Sequence, residues 1–354
     1  MARTRSVAAL TAKSVPRFHS VKTASVKVQK PALGSKTNVA GTEMKLEQKS
    51  VVASTSSNPI VSAASRKTKP HIETFFSHIE VPSDLCLPAD FVTYHTPEFI
   101  EGVKYILSVD PSLYPATVHG NFTVFARENE PNKKGLDLIN HYWFSLITSI
   151  LGQQISGHAA KAIRGRFEQL FDGIPTPEAT LKLPQETVKG VGLSNMKLKY
   201  VIHISETFAT GDTKLLDPLF YESAPTTELI KELTLLKGVG EWSARMFCLF
   251  TLKDLDVFAY DDLGVARGVA RYLEVRPLVL EATKVGVHAD EILKAGLKKK
   301  GKFAKADSKR DWTPLHDEYM KFLAAKFQPY QLIFMLLMWR LSATNTEVLL
   351  KQNV

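Results

Sequence analysis

The stretch LKGVGEWSA, Leu236 to Ala244, contains the pattern from which the fold of this protein is best inferred. It follows an amphipathic segment, TTELIKELTLL at 226–236, and leads into a second apolar segment that begins near Glu241. The glycines at 238 and 240 permit a sharp turn and let another group approach the backbone closely. The pattern therefore predicts a hairpin of two helices joined by a tight turn.

Such a hairpin presents a binding surface for anions. The first turn of its second helix has backbone amides without intrahelical acceptors, and the helix dipole adds positive potential there. These donors suit phosphate oxygens, which fix register but carry no base information. Lys237, Gly238, Val239 and Gly240 are therefore candidate contacts to a nucleic-acid backbone. The alternative is that the glycines only end the first helix.

The composition favours a polyanionic partner and argues against metal or membrane chemistry. The 354 residues carry a net charge of +9, and their pI is near 9.3. This balance favours nucleic acid as the partner. No run of 18 apolar residues is present, so no membrane span is expected. Two cysteines exclude a four-thiolate cluster, and the ten histidines are scattered, so we expect no metal and no cofactor.

Residues 1–90 are predicted to be a disordered basic tail. The first 40 residues contain no acid, many Lys and Arg, and few large apolar side chains. Such a composition buries too little surface to offset the entropy of ordering. The tail resembles a mitochondrial transit peptide, and RKTKP at 66–70 resembles a nuclear import patch. We expect a nuclear protein with a mitochondrial pool, although a simple solvated tail is the alternative.

Residues 91–354 are predicted to form an all-α domain. Apolar residues recur with helical spacing through several segments separated by short loops, beginning with HTPEFIEGVKYIL after a Thr96-Pro97 helix start. TTEL at 226–229 has the chemistry of a capping box. HGNFTVFAR at 119–127 is at most a short strand. The basic segment LKKKGKFAKADSKR at 297–310 is predicted to be an exposed loop, either a solvated insertion or a phosphate-contacting arm.

Paired acids downstream of the hairpin are candidates for chemistry. In DVFAYDDLGVARG, Asp262 lies twenty residues beyond Trp242 and at the start of a helix-like segment. A carboxylate at a helix N-terminus is stabilised as an anion. The alternative is that Asp262 is only a helix cap.

Taken together, these segments resemble the helix-hairpin-helix DNA glycosylase superfamily. LKGVGEWSA followed by VFAYDDLGVARG matches its hairpin and downstream catalytic Asp, and ILGQQIS at 150–156 and FMLLMWRLSATNT at 334–346 match its alkyl-purine branch. The similarity is closest to yeast-type 3-methyladenine DNA glycosylases and covers about residues 95–350. It implies a helical bundle in two lobes with a cleft between them. One lobe would span roughly 138–272, with the hairpin at 236–244, and the other would combine 91–137 with 273–354.

The resemblance implies roles for individual residues. Asp262 would be the catalytic carboxylate and Asp261 its non-catalytic neighbour. Trp242 stands where lyase members carry a Lys, so no Schiff base and no strand nicking are expected. Trp242 and Trp339 would line the base pocket, with core packing as the alternative for Trp339. Tyr330, Met246 and Phe250 are further candidates for its walls.

Two amides interrupt the apolar segment ILGQQIS. Gln153 and Gln154 would be costly in a buried helix without partners, and the minor groove of DNA would supply them. By position, Gln154 matches the residue that wedges into the base stack, where the bacterial branch has Leu. A helix-capping network is the alternative.

The resemblance therefore implies a monofunctional DNA glycosylase of base excision repair. It would release alkylated purines such as 3-methyladenine and 7-methylguanine from double-stranded DNA and leave an abasic site. We expect it to act as a monomer. The alternatives are a catalytically silent DNA-binding module and a glycosylase for other damaged bases.

Overall fold

The computed structural model describes residues 72–129, 133–305, 307 and 310–343. The predicted tail between residues 1 and 71, with its basic patch at 66–70, lies outside the described residues. So do residues 344–354 of the predicted second lobe.

Within the described ranges the protein is built from helices, which confirms the all-α prediction. The segment expected to be at most a short strand holds a 3₁₀ turn at Thr123–Phe125, and Ala126 forms an isolated antiparallel bridge with His95. In chain order the α-helices are α1 (Ala89–Tyr94), α2 (Pro97–Val109), α3 (Tyr114–Val118), α4 (Gly135–Gly152), α5 (Gly157–Glu168), α6 (Pro177–Lys182), α7 (Gln185–Gly190), α8 (Asn195–Thr210), α9 (Pro218–Ser223), α10 (Thr226–Leu233), α11 (Glu241–Phe250), α12 (Leu263–Glu274), α13 (Pro277–Ala289), α14 (Glu291–Gly296), α15 (Asp317–Ala325) and α16 (Gln331–Leu341).

Several helices begin where a side chain caps the first turn. Thr96 caps α2 by accepting from the Phe99 amide, and Pro97 occupies the first helical position. Ser156 and Ser194 cap α5 and α8 in the same way. The capping box expected at 226–229 is absent, because Pro225 precedes α10 and provides no capping side chain. These caps fix where each helix starts, which the apolar pattern alone leaves open.

The folded part begins earlier than the predicted boundary at residue 90. A 3₁₀ helix covers Ile72–Phe76, and the Phe76 side chain is 2% exposed. Arg276 Nη1 donates to Glu73 Oε1 at 2.7 Å, which ties this segment to the start of α13. Since Phe76 and Leu87 both join the hydrophobic core, residues 72–90 belong to the helical domain.

Two hydrophobic cores divide the described residues. One core lies within residues 139–257 and takes in side chains from α4, α5, α8 and the hairpin helices. The second combines the segments on either side of it in sequence, with α2, α12 and α16 as main contributors. Met246 and Leu249, on α11, join this second core, so α11 contacts both.

Helix α12 was predicted to belong to the first lobe, which was expected to end at residue 272, but it packs in the second core. The boundary between the lobes therefore lies before Asp262. The physical reason is close packing of α12 on α16: a Cβ on Gly268 would overlap the carbonyl oxygen of Met338. Val265 and Val269 on the same helix are fully buried in that core. The boundary thus falls in the 251–262 connection, so Asp262 lies where the chain passes from one core to the other.

His95 is a fully buried polar side chain that fastens the N-terminal part of the second core. Its Nδ1 bonds the carbonyl of Phe91 at 2.7 Å, and its Nε2 accepts from the Phe122 amide at 2.9 Å. One nitrogen therefore carries the proton and the other accepts, as in a neutral imidazole. Burial lowers the pKa of His95 to about 4, so the ring is neutral at pH 7.

In the part of the chain that the structure describes, no helix is long and apolar enough to cross a bilayer. The same part contains no cluster of three or more His, Cys, Asp or Glu side chains arranged to bind a metal ion.

Candidate active site

The predicted hairpin consists of α10, a turn and α11. The Val239 amide donates to the carbonyl of Leu236 at 3.1 Å, which closes the turn, and Val239 itself is 6% exposed. The Val239 side chain therefore belongs to the core, and only its backbone is available for the predicted DNA contact. Gly240 precedes α11 and provides no side-chain cap.

The two glycines of the turn have different surroundings. Gly238 has a φ of +89°, and a Cβ there would overlap the ring of Tyr200. Protein packing therefore requires this glycine whether or not DNA is present. A Cβ on Gly240 would meet no atom within 4 Å. The open approach to the first amides of α11 consequently lies over Gly240.

The end of α4 is fastened to the hairpin. Gln153 Nε2 donates to the carbonyl of Gly238 at 2.9 Å. Lys197 Nζ donates to the carbonyl of Leu151 at 2.8 Å, and burial lowers the pKa of this lysine. Gln153, predicted to contact DNA, therefore uses its amide nitrogen to brace the turn that carries the other predicted contacts.

Gln154 has the geometry of an exposed tip. Its φ is +58°, in the left-handed region that non-glycine residues rarely adopt. Its exposed side chain borders the cleft and has no hydrogen bond to any described residue. The capping-network alternative thus has no support from the described contacts, and the wedge role stays a prediction.

Three donors converge on the carboxylate of Asp262, the N-cap of α12. Oδ1 accepts from the Val265 amide at 2.9 Å and from Trp339 Nε1 at 2.8 Å. Oδ2 accepts from Trp242 Nε1 at 3.1 Å. The residue is therefore a cap, as its position predicted, but the two indoles hold its carboxylate at the junction of the lobes as well. Bonds to a charged acceptor are the stronger kind, so its orientation is well fixed.

Asp261, the neighbouring acid, is used differently. Its Oδ1 accepts from Arg245 Nη1 at 2.8 Å, and the two side chains are 15% and 9% exposed. Arg245 also donates to Glu241 at 2.7 Å. Burial lowers the pKa of Arg245, but the interactions with Asp261, Tyr260 and Glu241 outweigh that effect and the pKa is raised overall. Asp261 is therefore held by an ion pair with Arg245.

Trp242 lies in the wall of a cleft of about 1500 Å³ and is 44% exposed. Met246 and Phe250, two of the proposed pocket walls, follow it along α11 and line the same cleft. The third, Tyr330, packs against Gly102 and Tyr105 in the second core instead. The expected role of Tyr330 as a pocket wall is therefore wrong, because its ring is used in packing α16 on α2.

Trp339 reaches Asp262 from α16 and packs against the second core, and it is not part of the lining of the cleft. Its ring stacks on Phe250 with centroids 6.2 Å apart and planes 12° apart, while its N–H bonds Asp262. The next residue, Arg340, is 2% exposed and donates to the carbonyls of Ala116, Thr117, Gly120 and Asn121. Burial lowers the pKa of Arg340 to about 9, which still leaves it charged at pH 7. This anchor fixes the end of α16 and with it the position of Trp339.

Three contributors to the site were not predicted: Tyr200, Lys197 and Arg340. Tyr200 and Lys197 lie in an ordinary amphipathic segment, SNMKLKY, which carries no signal for packing against the hairpin turn. Arg340 does carry a sequence signal, since a lone basic residue inside the apolar run LIFMLLMWRL requires a buried hydrogen-bond partner.

The chain is similar to several DNA-3-methyladenine glycosylases. The model of the HhH-GPD superfamily of base excision DNA repair proteins matches residues 147–284. DNA-3-methyladenine glycosylase from Saccharomyces cerevisiae is 33% identical over 278 residues, which cover 76% of this chain and 88% of the relative. DNA-3-methyladenine glycosylase 1 from Schizosaccharomyces pombe is 31% identical over 147 residues, 41% of this chain and 63% of the relative. The crystal structure of DNA-3-methyladenine glycosidase from Bacillus halodurans aligns with a TM-score of 0.47 and 26% identity, covering 71% of this chain and 92% of that one.

Proposed function

The chain belongs to the HhH-GPD superfamily of base excision DNA repair proteins, and we propose from this premise that it is a monofunctional DNA glycosylase. Its substrates are alkylated purines in double-stranded DNA, such as 3-methyladenine and 7-methylguanine. Its product is an intact strand with an abasic site. It acts as a monomer in the nucleus, with a mitochondrial pool.

The hydrogen bonds on Asp262 support this proposal most directly. An acid that served only as a helix cap would need the Val265 amide alone. Here two indoles from different helices, α11 and α16, also donate to the carboxylate, and one of them, Trp242, lines the cleft. Oδ2 accepts a single bond among the described residues, which leaves it lone-pair capacity for a reacting group or a water.

The chemistry of an alkylated purine needs only one carboxylate. A purine methylated at N3 or N7 already carries a positive charge, so it departs as a neutral base without protonation by the enzyme. The sugar then develops oxocarbenium character, which a fixed anion in a partly dry cleft stabilises. Asp262 supplies that anion and orients the attacking water, while Asp261 is held by Arg245 and takes no part.

Substrate selection rests on the indole beside the carboxylate. The half-exposed ring of Trp242 offers an electron-rich face to the cleft. A cationic base against such a face gains about 1–2 kcal/mol when desolvated, and a neutral purine gains less. Damaged bases also pair more weakly, so they leave the stack at lower cost.

Lyase chemistry would require an amine close to the sugar. The hairpin position that carries such an amine in lyase members is Trp242, and the nearby Lys197 uses its ammonium group on the Leu151 carbonyl. The enzyme therefore hydrolyses the glycosidic bond with water and leaves the phosphodiester backbone uncut.

Product analysis on alkylated duplex DNA tests the proposal. The wild-type protein is expected to release 3- and 7-methylpurines, and the strand is expected to break only after alkali. Borohydride is expected to trap no protein–DNA adduct. Binding of abasic duplex without any base release would instead identify a silent binding module. Release confined to oxidised or mismatched bases would point to the other alternative.

A further inference from the structure

The basic loop, residues 297–310, concentrates positive charge in the second lobe. It contains seven basic residues and one acid, against a net charge of +9 for the whole chain. The side chains of Lys298, Lys299, Lys300 and Lys302 are exposed. None of these four forms an ion pair with another described residue.

The backbone of this loop is fixed by side chains from the segment that follows it. His316 Nε2 bonds the carbonyl of Lys299 at 2.7 Å. Both oxygens of Asp317 accept from the Lys302 amide, at 3.0 and 3.2 Å. The Asp317 carboxylate therefore accepts hydrogen bonds from a backbone amide and does not pair with the ammonium group of a described lysine.

The far end of the loop is anchored as well. Arg310 Nη1 donates to the carbonyls of Phe303 and Lys305, at 3.0 and 3.2 Å. The Phe303 ring meets Trp312 edge-on with centroids 6.1 Å apart. These contacts hold the described part of the loop backbone in one conformation. Holding like charges close together costs free energy in the free protein, and a polyanion placed against them reverses that cost.

A chain of side-chain contacts connects the loop to the hairpin. Glu318 packs against Gly296, at the end of α14 where the loop begins, and pairs with Lys321 at 2.9 Å. Lys321 lies over the ring of Tyr260 at 4.2 Å.

The Tyr260 ring completes the connection. Arg245 lies 4.6 Å from its centroid and pairs with Glu241, the first helical residue after the hairpin turn. The loop and the hairpin are therefore joined by a short path of contacting side chains.

We propose that the basic loop is a second contact surface for DNA, which binds phosphates of the duplex outside the segment held by the hairpin. The inference rests on the proposed function, since it takes duplex DNA as the partner. Lysines on the phosphate backbone read no bases, so the loop adds affinity without sequence preference. It lengthens the bound segment of duplex on the side of the second lobe.

A charge-neutral variant tests this inference. K298Q/K299Q/K300Q removes three exposed ammonium groups and leaves His316, Asp317 and Arg310 to hold the backbone. The matched control K104Q/K182Q/K284Q removes three exposed lysines outside the loop and outside the hairpin. Binding to duplex with one abasic site is measured over a range of salt concentrations.

For the loop variant, the negative slope of log K against log salt is expected to become shallower by about 0.9 for each phosphate that the protein no longer neutralises. The slope of the control is expected to stay near that of the wild type. The difference is expected to disappear on a duplex of about 10 base pairs, one helical turn, centred on the abasic site. Base release at saturating protein is expected to be equal in all three proteins.

Equal salt slopes for the wild type and the loop variant on long duplex would overturn the inference. An acidic protein would then be the candidate partner of the loop. A deficit of the same size on the short duplex would also overturn it. The proposed function is tested separately, by base release. If the salt slope depends on the loop but the wild-type protein releases no base, the second contact surface stands and the glycosylase assignment is wrong.

Discussion

Replacing Asp262 by Asn separates the charge of this side chain from its role as a helix cap. The amide oxygen of Asn can still accept from the Val265 amide and from Trp339 Nε1, the two donors that now share Oδ1. The amide nitrogen would instead face Trp242 Nε1, so one hydrogen bond is lost and two donors oppose each other. We expect a folded protein that is destabilised by about 1–2 kcal/mol.

The effect on catalysis is expected to be larger. A unit negative charge about 4 Å from a developing cationic sugar contributes about 4 kcal/mol at an effective dielectric constant near 20. Losing that term slows base release by roughly a thousandfold. The neutral amide also orients the attacking water less well, which adds to the loss.

The assay is single-turnover release of 7-methylguanine from alkylated duplex, with protein in excess so that binding does not limit the rate. Affinity for abasic duplex is measured in parallel and is expected to change little. Asp261→Asn is the matched control, because it makes the same chemical change one residue away. It weakens the pair with Arg245 and is expected to cost about 1–3 kcal/mol of stability, with base release by the folded protein within a few-fold of wild type.

Two results would refute the reasoning. Base release by Asp262→Asn within about tenfold of wild type would mean that the charge on Asp262 does not stabilise the transition state. An equal loss of activity in both variants, at equal folded fraction, would mean that the paired acids act as a unit and that the assignment of one to chemistry and the other to structure is mistaken.

Three further predictions follow from the packing. Gly238→Ala is expected to destabilise the protein by about 2 kcal/mol, because it forces a Cβ into the Tyr200 ring at a position with positive φ. Gly240→Ala is expected to leave the free energy of unfolding in urea unchanged, because its Cβ meets no atom, and to weaken binding of abasic duplex. The folded-state pKa of His95 is about 4, against 6.5 for an unperturbed histidine. Its contribution to the free energy of unfolding is therefore complete above pH 6.5 and is lost as pH falls from 6.5 to 4, by roughly 3 kcal/mol. Urea unfolding across that window should show a shallower pH dependence in His95→Gln than in wild type, which separates this ring from the other histidines; equal slopes would contradict the assignment. Arg340→Met leaves four carbonyls without their donor and is expected to cost about 3–5 kcal/mol in the same assay; a cost below about 1 kcal/mol would show that water replaces the guanidinium.

The sequence alone determined the elements that depend on local pattern. Apolar spacing and the Thr96-Pro97 helix start identify helices, because helix formation is decided within a few turns of chain. Glycine spacing likewise predicted the hairpin. The acid pair after it left Asp262 open between a catalyst and a helix cap, and the catalytic role came from the resemblance to one family. The match of several motifs in the order expected for one family carried the functional assignment, since no single motif would have been specific enough.

Only the tertiary structure decided which side chains meet. The opening turn needs Gly238 because Tyr200, from the distant helix α8, packs against it, and Gln153 braces that turn. The same structure showed that both Trp242 and Trp339 direct their N–H groups to Asp262. Contacts between distant segments depend on how helices pack in three dimensions. The pattern of apolar residues along the sequence shows which face of a helix is buried, but it does not show which other helix packs against that face.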